Sequence, residues 1–339
     1  MACAVLLIVN PAAGGGKAAR VAPQAQAALS GYGLTVRRVD TRDLDHAREI
    51  ALAAAARGET VVVLGGDGLI GVVADVLRAV PGALLGVLPG GRGNDLARVL
   101  GIPDDPVQAC ATIAHGVARA VDLGAVAGAG EHGAAQAFVG IASAGFDSDA
   151  NRIANEASPR LGGLVYAYGA LRALLSWRPA RFEIELDPPG ETRTFSGYSV
   201  AVANSKAYGG GMLLAPEALL DDGLLDVVVT ERVSKLRFLA NLPKVFKGTH
   251  VRLPSVRVFR AAEVEVRSER PFTMYADGDP IGELPVRVRA LPAAVRMLVP
   301  PQSATGSAFG APPPPAVQPS QAAAPAAPAP PAGGSLTSA

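Results

Sequence analysis

The sequence predicts an N-terminal α/β domain of the doubly wound type, followed by an antiparallel β-sandwich-like domain. Up to about residue 115, short apolar runs alternate with segments whose apolar residues have helical spacing, the pattern of β–α units. From residue 120 on, short strand-like runs alternate with turns instead. Of the 339 residues 49% are hydrophobic, which is sufficient for two cores of ordinary domain size.

The predicted domain boundaries follow these changes of pattern. We assign residues 1–119, together with a returning strand at about 290–300, to the α/β domain and residues 120–289 to the β-rich domain. Residues 301–339 contain no charged side chain and are dominated by Pro, Ala, Ser, Gly and Gln, so we expect a disordered tail there.

In the first domain, strands are predicted at residues 4–9, 34–39, 61–64 and 84–88. The helices between and after them are predicted at residues 18–30, with Pro23 near the start or at a kink, at 43–57 with Asp43 as its cap, at 69–80, and after Asn94 as the cap of a short helix. Right-handed crossovers make these strands parallel, so the loops that follow them lie at one carboxyl edge.

In the second domain, strand-like runs are predicted at residues 120–123, 137–141, 182–186, 195–203, 224–230, 256–259, 264–267, 272–275, 286–289 and 295–299. Helices are expected only near residues 162–177 and 234–247. The last strand, at 295–299, is expected to return to the sheet of the first domain.

Two glycine-rich loops follow neighbouring predicted strands. Gly65-Gly66-Asp67-Gly68 comes directly after residues 61–64, and the sequence PGGRGND of residues 89–95 follows residues 84–88. Glycine lets the backbone turn sharply and approach a ligand, and a helix N-terminus offers free N–H groups to an anion. One such loop can be merely a tight connection, but two at one sheet edge favour a nucleotide phosphate site.

Charge and cysteine content narrow the class of protein. The net charge is +1, so we expect no nucleic-acid partner. The two cysteines form no C-x-x-C pair and the four histidines are scattered, which argues against a zinc site and fits the reducing cytoplasm. Residues 4–9 lack a basic n-region and are a better strand than signal peptide, and no stretch approaches the ~20 apolar residues of a membrane span.

A series of motifs, in this order, resembles the diacylglycerol kinase catalytic family, the soluble bacterial lipid kinases related to sphingosine and ceramide kinases. The motifs are Asn10-Pro11, GGDG at 65–68, LPGGRGNDLAR at 88–98, YGGGM at 208–212, APEA at 215–218, DDGLLD at 221–226 and Asp277-Gly278-Asp279. The resemblance spans about residues 4–299. GGDG is shared with NAD kinases and phosphofructokinases, whereas the second loop and the DDGLLD segment are more specific to lipid kinases.

The resemblance implies an ATP site and a general base. It puts ATP against Asn10, Pro11, Thr41, Gly65, Gly66, Asp67, Gly68, Leu69, Gly71, Gly91, Arg92, Asn94 and Asp95. Asp67 would face Mg²⁺ on ATP, because a carboxylate beside phosphates requires a cation, although it could instead stabilise the turn. Asp279 lies where the family carries the base that deprotonates the lipid hydroxyl, and Asp277 would orient the base or hold metal. Without the resemblance, Asp277-Gly278-Asp279 would be taken as an ordinary hairpin.

The DDGLLD segment resembles the structural Mg²⁺ site of the family. Asp222 and the backbone carbonyls of Leu219 and Leu224 would hold the ion, and oxygen-only ligation suits a hard cation. The alternative is a plain turn before a strand.

Four positions depart from the family pattern. Leu69 and Arg92 replace threonines, Val72 replaces glutamate, and Asp279 replaces a glutamate base. The lost hydroxyls leave a weakened or inactive kinase as an alternative, but the Arg92 guanidinium is a strong donor for phosphate. The shorter side chain of Asp279 changes the reach of the base. We expect an active enzyme.

The expected function is an ATP- and Mg²⁺-dependent lipid kinase that converts diacylglycerol to phosphatidic acid. The alternatives are a kinase for a sphingoid base or another lipid alcohol, and a non-catalytic sensor of lipid or nucleotide; an NAD kinase fits poorly. Residues 234–247 are apolar and basic, as in a helix that lies on an anionic membrane, but a core-facing stripe with a solvated basic face fits equally. We expect a cytoplasmic protein that binds membranes peripherally; a homodimer is possible.

Overall fold

The computed structural model describes residues 4–128, 135–156 and 165–310, in which fifteen strands form one mixed sheet. The first half contains β1 Ala4–Val9, α1 Ala13–Gly31, β2 Thr35–Asp40, α2 Leu44–Ala56, β3 Thr60–Gly65, α3 Asp67–Leu77, β4 Leu84–Pro89, α4 Asp95–Val99 and α5 Pro106–His115. The second half contains β5 Val117–Gly128, β6 Gln136–Phe138, β7 Ile141–Gly145, α6 Phe146–Glu156, α7 Val165–Ser176, β8 Ala180–Leu186, β9 Glu191–Ala203, β10 Leu225–Glu231, α8 Lys235–Phe246, β11 Val256–Ala261, β12 Glu263–Ser268, β13 Thr273–Ala276, β14 Asp279–Glu283 and β15 Val286–Val299.

The first half is the predicted doubly wound unit. Its strands are parallel in the order β2-β1-β3-β4, and the end of β15 joins β4 as a further parallel strand. α1 packs against α5, and α2 packs against α3. Because the order reverses between β1 and β3, right-handed crossovers place these two pairs on opposite faces. β3 is buried along its whole length, as its apolar sequence predicts.

The second half is antiparallel, also as predicted. β7, β9 and β8 pair in sequence, β12 joins β8 to β15, and β10 and β11 extend from β9. Two of its elements were not expected. α6 follows β7 directly, and β14 turns back from β13 to form a hairpin whose turn holds Asp277 and Gly278.

β15 belongs to both halves. Its first residues pair with β12, it pairs along its length with β5, and its last residues pair with β4. The register shifts between Leu291 and Val295, where the Asp122 carboxylate accepts the N–H of Ala293 at 2.6 Å and that of Gly223 at 2.7 Å. The boundary predicted at residues 119–120 therefore falls inside a continuous strand, β5.

The predicted disorder was wrong for residues 301–310. Phe309 is 4% exposed, and the guanidinium of Arg119 lies 4.6 Å from its ring centre. The N–H of Leu220 donates to the carbonyl of Ala308 at 2.9 Å, and that of Gly310 donates to Asp221 at 2.6 Å. A single aromatic anchor fixes a segment whose composition predicts no structure. The rest of the predicted tail lies outside the described residues.

No helix among residues 4–128, 135–156 and 165–310 is long and apolar enough to cross a membrane.

Candidate active site

Three glycine-containing loops meet at the carboxyl edge of the parallel strands. The N–H of Gly90 donates to the carbonyl of Gly65 at 2.8 Å, and a Cβ on Gly91 would lie 2.5 Å from the Cα of Gly66. Gly14 has a φ of +58° and would place a Cβ 2.6 Å from the carbonyl oxygen of Gly90. The loops after β1, β3 and β4 can therefore pack this closely only because these positions are glycine.

Asp67 links the two loops that the sequence marked. Its Oδ2 accepts the N–H of Asp95 at 3.1 Å, and its Oδ1 accepts that of Leu96 at 3.0 Å. Asp67 is therefore the side chain that caps α4, with its charge at the positive end of the helix.

The expected cap, Asn94, does not perform this role. With a φ of 51°, its side chain turns back to the loop, where Oδ1 accepts the N–H of Gly91 at 2.8 Å and Nδ2 donates to the Gly91 carbonyl at 3.2 Å. The prediction that Asn94 caps α4 was wrong because the cap comes from another strand's loop.

Asp95 joins the two halves of the protein. Its carboxylate accepts the N–H of Gly210 at 2.8 Å and that of Gly211 at 2.7 Å, and it pairs with Arg98 at 2.8 Å. Burial raises the pKa of Asp95, while these donors oppose the rise. Gly209, Gly210 and Gly211 all have positive φ, so the YGGGM motif forms a loop that presents its N–H groups to this carboxylate.

Asp277 lies at the turn between β13 and β14. Its carboxylate accepts the N–H of Val139 at 2.8 Å and that of Gly140 at 2.9 Å. Burial raises the pKa of Asp277 to about 7, and the neighbouring charge of Asp67 acts in the same direction, against the backbone donors. This carboxyl group therefore sits near the charge of the first glycine loop, with a proton affinity that matters at neutral pH.

Two glycines of α3 allow the second domain to approach the first. A Cβ on Gly68 would lie 2.9 Å from Asp279 Oδ2, and a Cβ on Gly71 would lie 2.9 Å from Asp277 Oδ2. The hairpin turn thus rests on the first turns of α3, beside the N–H groups that follow GGDG. Burial raises the pKa of Asp279.

A single cavity of about 580 Å³ connects the glycine loops with an apolar chamber. Its polar end is lined by Asn10, Gly66, Asp67, Gly68, Leu69, Gly91, Arg92 and Asp95. Asp277 and Asp279 line it as well. Its apolar walls include Phe146, Val233, Phe238, Leu242, Val245 and Val256. Charged and hydrophobic walls in one cavity suit a ligand pair in which one member is a phosphate and the other a lipid.

The remaining residues predicted for ATP do not line this cavity; they are Pro11, Thr41, Gly65, Gly71 and Asn94. Gly65 and Asn94 shape the loops, and Gly71 faces Asp277. Thr41 is 8% exposed and donates its N–H to Val9 at 2.7 Å, which holds the end of β2 to that of β1.

Sequence reasoning assigned no role to one polar cluster in the cavity. Asp147 of α6 lines the cavity together with Ser199 and Tyr208, and it accepts hydrogen bonds from both hydroxyls. Burial raises the pKa of Asp147 to about 6, and burial followed by the charge of Asp147 raises that of Tyr208. A signal was available, since Tyr208 belongs to a quoted motif and Phe146, Ala150 and Ile153 of α6 recur at intervals of four and three residues, which is helical spacing.

The DDGLLD segment forms a turn in which Asp222 accepts the N–H of Leu224 at 3.0 Å. Buried Asp122 lies nearby; burial raises its pKa most, the N–H groups of Ala293 and Gly223 oppose the rise, and the charges of Asp222 and Asp221 add to it. Among residues 4–128, 135–156 and 165–310, no three His, Cys, Asp or Glu side chains converge as metal ligands. A cation held by Asp222 would therefore need backbone oxygens such as those of Leu219 and Leu224, a donor set compatible with Mg²⁺.

The departures from the family pattern have different surroundings. Leu69 is 4% exposed and packs over Gly65, and Val72 is 8% exposed. Arg92 is exposed and lines the polar end of the cavity, where its guanidinium can reach a phosphate.

Comparison with known proteins identifies the family of this chain. Residues 4–126 match the diacylglycerol kinase catalytic domain, and residues 140–299 match the YegS C-terminal NAD kinase beta sandwich-like domain. The chain is 36% identical to a diacylglycerol kinase of Mycobacterium tuberculosis H37Rv over 301 residues, which cover 87% of this chain and 95% of the relative. It is 31% identical to a diacylglycerol kinase of Bacillus subtilis over 240 residues, 69% of this chain and 75% of that one.

The fold has a close counterpart among solved structures. The crystal structure of a diacylglycerol kinase from Bacillus anthracis strain Sterne superimposes with a TM-score of 0.67 at 20% identity, covering 88% of this chain and 97% of that one. The fold and the site define the class of ATP-dependent lipid kinases. The chain belongs to the diacylglycerol kinase family of bacterial lipid kinases, which confirms the predicted resemblance.

Proposed function

We propose that this protein transfers the γ-phosphate of Mg²⁺-ATP to the free hydroxyl of diacylglycerol and so forms phosphatidic acid. The observation that carries the proposal is the cavity, which runs from the glycine loops past Asp279 to an apolar chamber. The relatives named diacylglycerol kinase support this substrate. Phosphoryl transfer requires mainly that the reactants are positioned and that phosphate charge is neutralised. In our proposal the polar end of the cavity neutralises phosphate charge, and the apolar chamber positions the lipid.

In the proposed reaction, Asp279 accepts the proton of the lipid hydroxyl. The hydroxyl oxygen then forms a bond to the γ-phosphorus as the bond to the β–γ bridging oxygen breaks, and ADP leaves. The glycine loops bind the phosphates through backbone N–H groups, and Arg92 adds a cation. Mg²⁺ bound with ATP would neutralise phosphate charge, and Asp67, one of the two carboxylates at the polar end of the cavity, would face it.

Asp277 positions the hairpin turn that carries Asp279. Its two bonds to the N–H groups of Val139 and Gly140 fix the turn against the segment between β6 and β7. Its contact with the Gly71 position holds the same turn on α3. The side chain of Asp279 is shorter than the glutamate of the family. Because the turn lies this close to α3, the Asp279 carboxylate still reaches the first turn of that helix.

Asp147 favours a second candidate substrate. A carboxylate inside the lipid chamber, with a pKa of about 6, is charged at neutral pH and can pair with the ammonium group of a sphingoid base. Diacylglycerol has no such group but can donate or accept hydrogen bonds at Ser199 and Tyr208. The second candidate is therefore a kinase for sphingoid bases.

The experiment is transfer of labelled γ-phosphate from Mg²⁺-ATP to a panel of diacylglycerol, ceramide, sphingosine and NAD. We expect label on diacylglycerol; label only on sphingosine would favour the second candidate. No transfer to any lipid, with ATP still bound, would contradict the proposal and favour the non-catalytic sensor.

The assignment of the base is tested on the same hairpin. Asp279→Asn is expected to abolish turnover while ATP still binds, and Asp279→Glu is expected to retain activity. Glu283→Gln, on β14 outside the cavity, is the matched control. Undiminished activity in Asp279→Asn would disprove its role as base.

A further inference from the structure

Helix α8 is apolar on two sides, which lie roughly a third of a turn apart around its axis. Its inner side contributes Phe238, Leu242 and Val245 to the wall of the cavity. The outer residues Leu236 and Phe246 are 81% and 53% exposed. A helix that only covered a core would have a polar outer side. The core-facing alternative therefore explains the inner apolar side of α8 but not the outer one.

The exposed apolar residues form one stripe. Leu236, Leu239, Pro243 and Phe246 are all exposed and follow one another at intervals of three, four and three residues. This spacing places them on one side of the helix. None of the residues of α8 is buried, so nothing within the described part of the chain covers this stripe.

The charged residues of α8 are all positive, and two of them, Lys235 and Lys247, flank the stripe. Lys235, Arg237, Lys244 and Lys247 belong to α8 or its C-cap, and residues 234–248 contain no Asp or Glu. Lys235 also donates to the carbonyl of Leu175 at 2.8 Å, which joins the start of α8 to the end of α7. There, Leu175 is 69% exposed and continues the uncovered apolar surface.

We propose that the outer stripe of α8, with Leu175 of α7, docks on an anionic lipid bilayer. The apolar residues would enter the headgroup region, and the four cations would contact lipid phosphates. Because the inner side of the same helix lines the cavity, docking sets the chamber next to the bilayer that holds its lipid. This last step rests on the proposed function; the docking itself does not.

Charge complementarity selects a bilayer over a second copy of the chain. A twofold contact through this stripe would bring the same four cations of each copy together, and like charges at an interface disfavour association. An anionic surface reverses the sign of that interaction, so cations and apolar residues both contribute.

The test measures binding of the full chain to vesicles of phosphatidylcholine with or without phosphatidylglycerol, in the absence of diacylglycerol and nucleotide. We expect strong binding only with phosphatidylglycerol, and weaker binding as salt increases. The double variant Leu236→Ser/Phe246→Ser is expected to lower the partition coefficient roughly tenfold or more. Leu52→Ser is the matched control, since Leu52 of α2 is 46% exposed and lies outside the stripe.

Loss of the cations is tested separately. Lys244→Ala/Lys247→Ala is expected to weaken binding to anionic vesicles roughly fivefold for each cation removed, with little change on neutral vesicles. Equal binding of wild type and the leucine–phenylalanine double variant would overturn the proposal. So would a wild-type dimer that this variant converts to a monomer without any change in vesicle binding.

The docking surface and the proposed function can be disproved independently of each other. Wild-type protein that phosphorylates dispersed short-chain diacylglycerol but binds no anionic vesicle overturns the docking surface and leaves the function. Wild-type protein that binds these vesicles as described but phosphorylates no lipid supports the surface and overturns the function.

Discussion

Asp277→Asn provides a quantitative test of the electrostatics at the hairpin turn. Burial raises the pKa of this carboxyl to about 7, compared with an ordinary value of 3.8. Between these values the folded protein holds a proton that the unfolded chain has released. Stability therefore falls as the pH rises through this window, and the Asp277 contribution is lost above about pH 7.

The size of this effect follows from the shift. Each pKa unit corresponds to about 1.4 kcal/mol, so a shift of roughly three units makes the folded state about 4 kcal/mol less stable at pH 8 than at pH 4, at most. Asparagine does not titrate, so the variant lacks this slope. It also has one acceptor for two N–H groups, so the slope with pH, rather than stability at one pH, is the quantity to compare.

The assay is urea unfolding from pH 5 to pH 8, with a chelator and without nucleotide. We expect wild type to lose about 3 kcal/mol more than Asp277→Asn over this range. Other raised carboxyls, such as Asp147, affect both proteins equally. Asp45→Asn, whose carboxylate is 92% exposed, controls for the substitution itself. Parallel curves for wild type and Asp277→Asn would refute the reasoning.

Three further variants test the remaining contacts. Phe309→Ala should lower the free energy of unfolding by about 3 kcal/mol because the ring is buried, and an unchanged urea midpoint would show that the segment is not anchored. Gly68→Ala should reduce kcat with little change in stability, because its Cβ displaces only the flexible end of Asp279; an unchanged kcat would contradict the contact. Asp67→Asn should cost about 1–2 kcal/mol of stability, since one of the two amides at the start of α4 loses its acceptor, and it should weaken ATP binding measured by calorimetry.

The extent to which sequence predicted this protein depends on how local each signal is. β3 and its glycine loop were recognisable because a wholly buried parallel strand is apolar at every position. The cap of α4 was not, because Asp67 lies 28 residues before Asp95 and the contact exists only after folding.

The second half shows the same limit. α6 is polar overall, and its helical spacing rests on only three apolar residues, Phe146, Ala150 and Ile153, so the helix was overlooked and Asp147 with it. Residues 301–310 were misjudged because composition cannot show that one ring, Phe309, finds a site beside Arg119. The motifs contain many of the residues that meet at the cavity, whereas the partners of those residues are set by tertiary contacts.

The position of β15 in the sheet also affects folding of the chain during its synthesis. This strand is formed by residues 286–299, yet it lies between β12 and β4 near the middle of the sheet. During synthesis the edge of β4 that will pair with β15 stays unpaired while about 200 further residues are added, at roughly 5–20 residues per second. For those tens of seconds an apolar strand edge is open to other chains, so the nascent N-terminal half is the stage at which this protein most needs protection from aggregation.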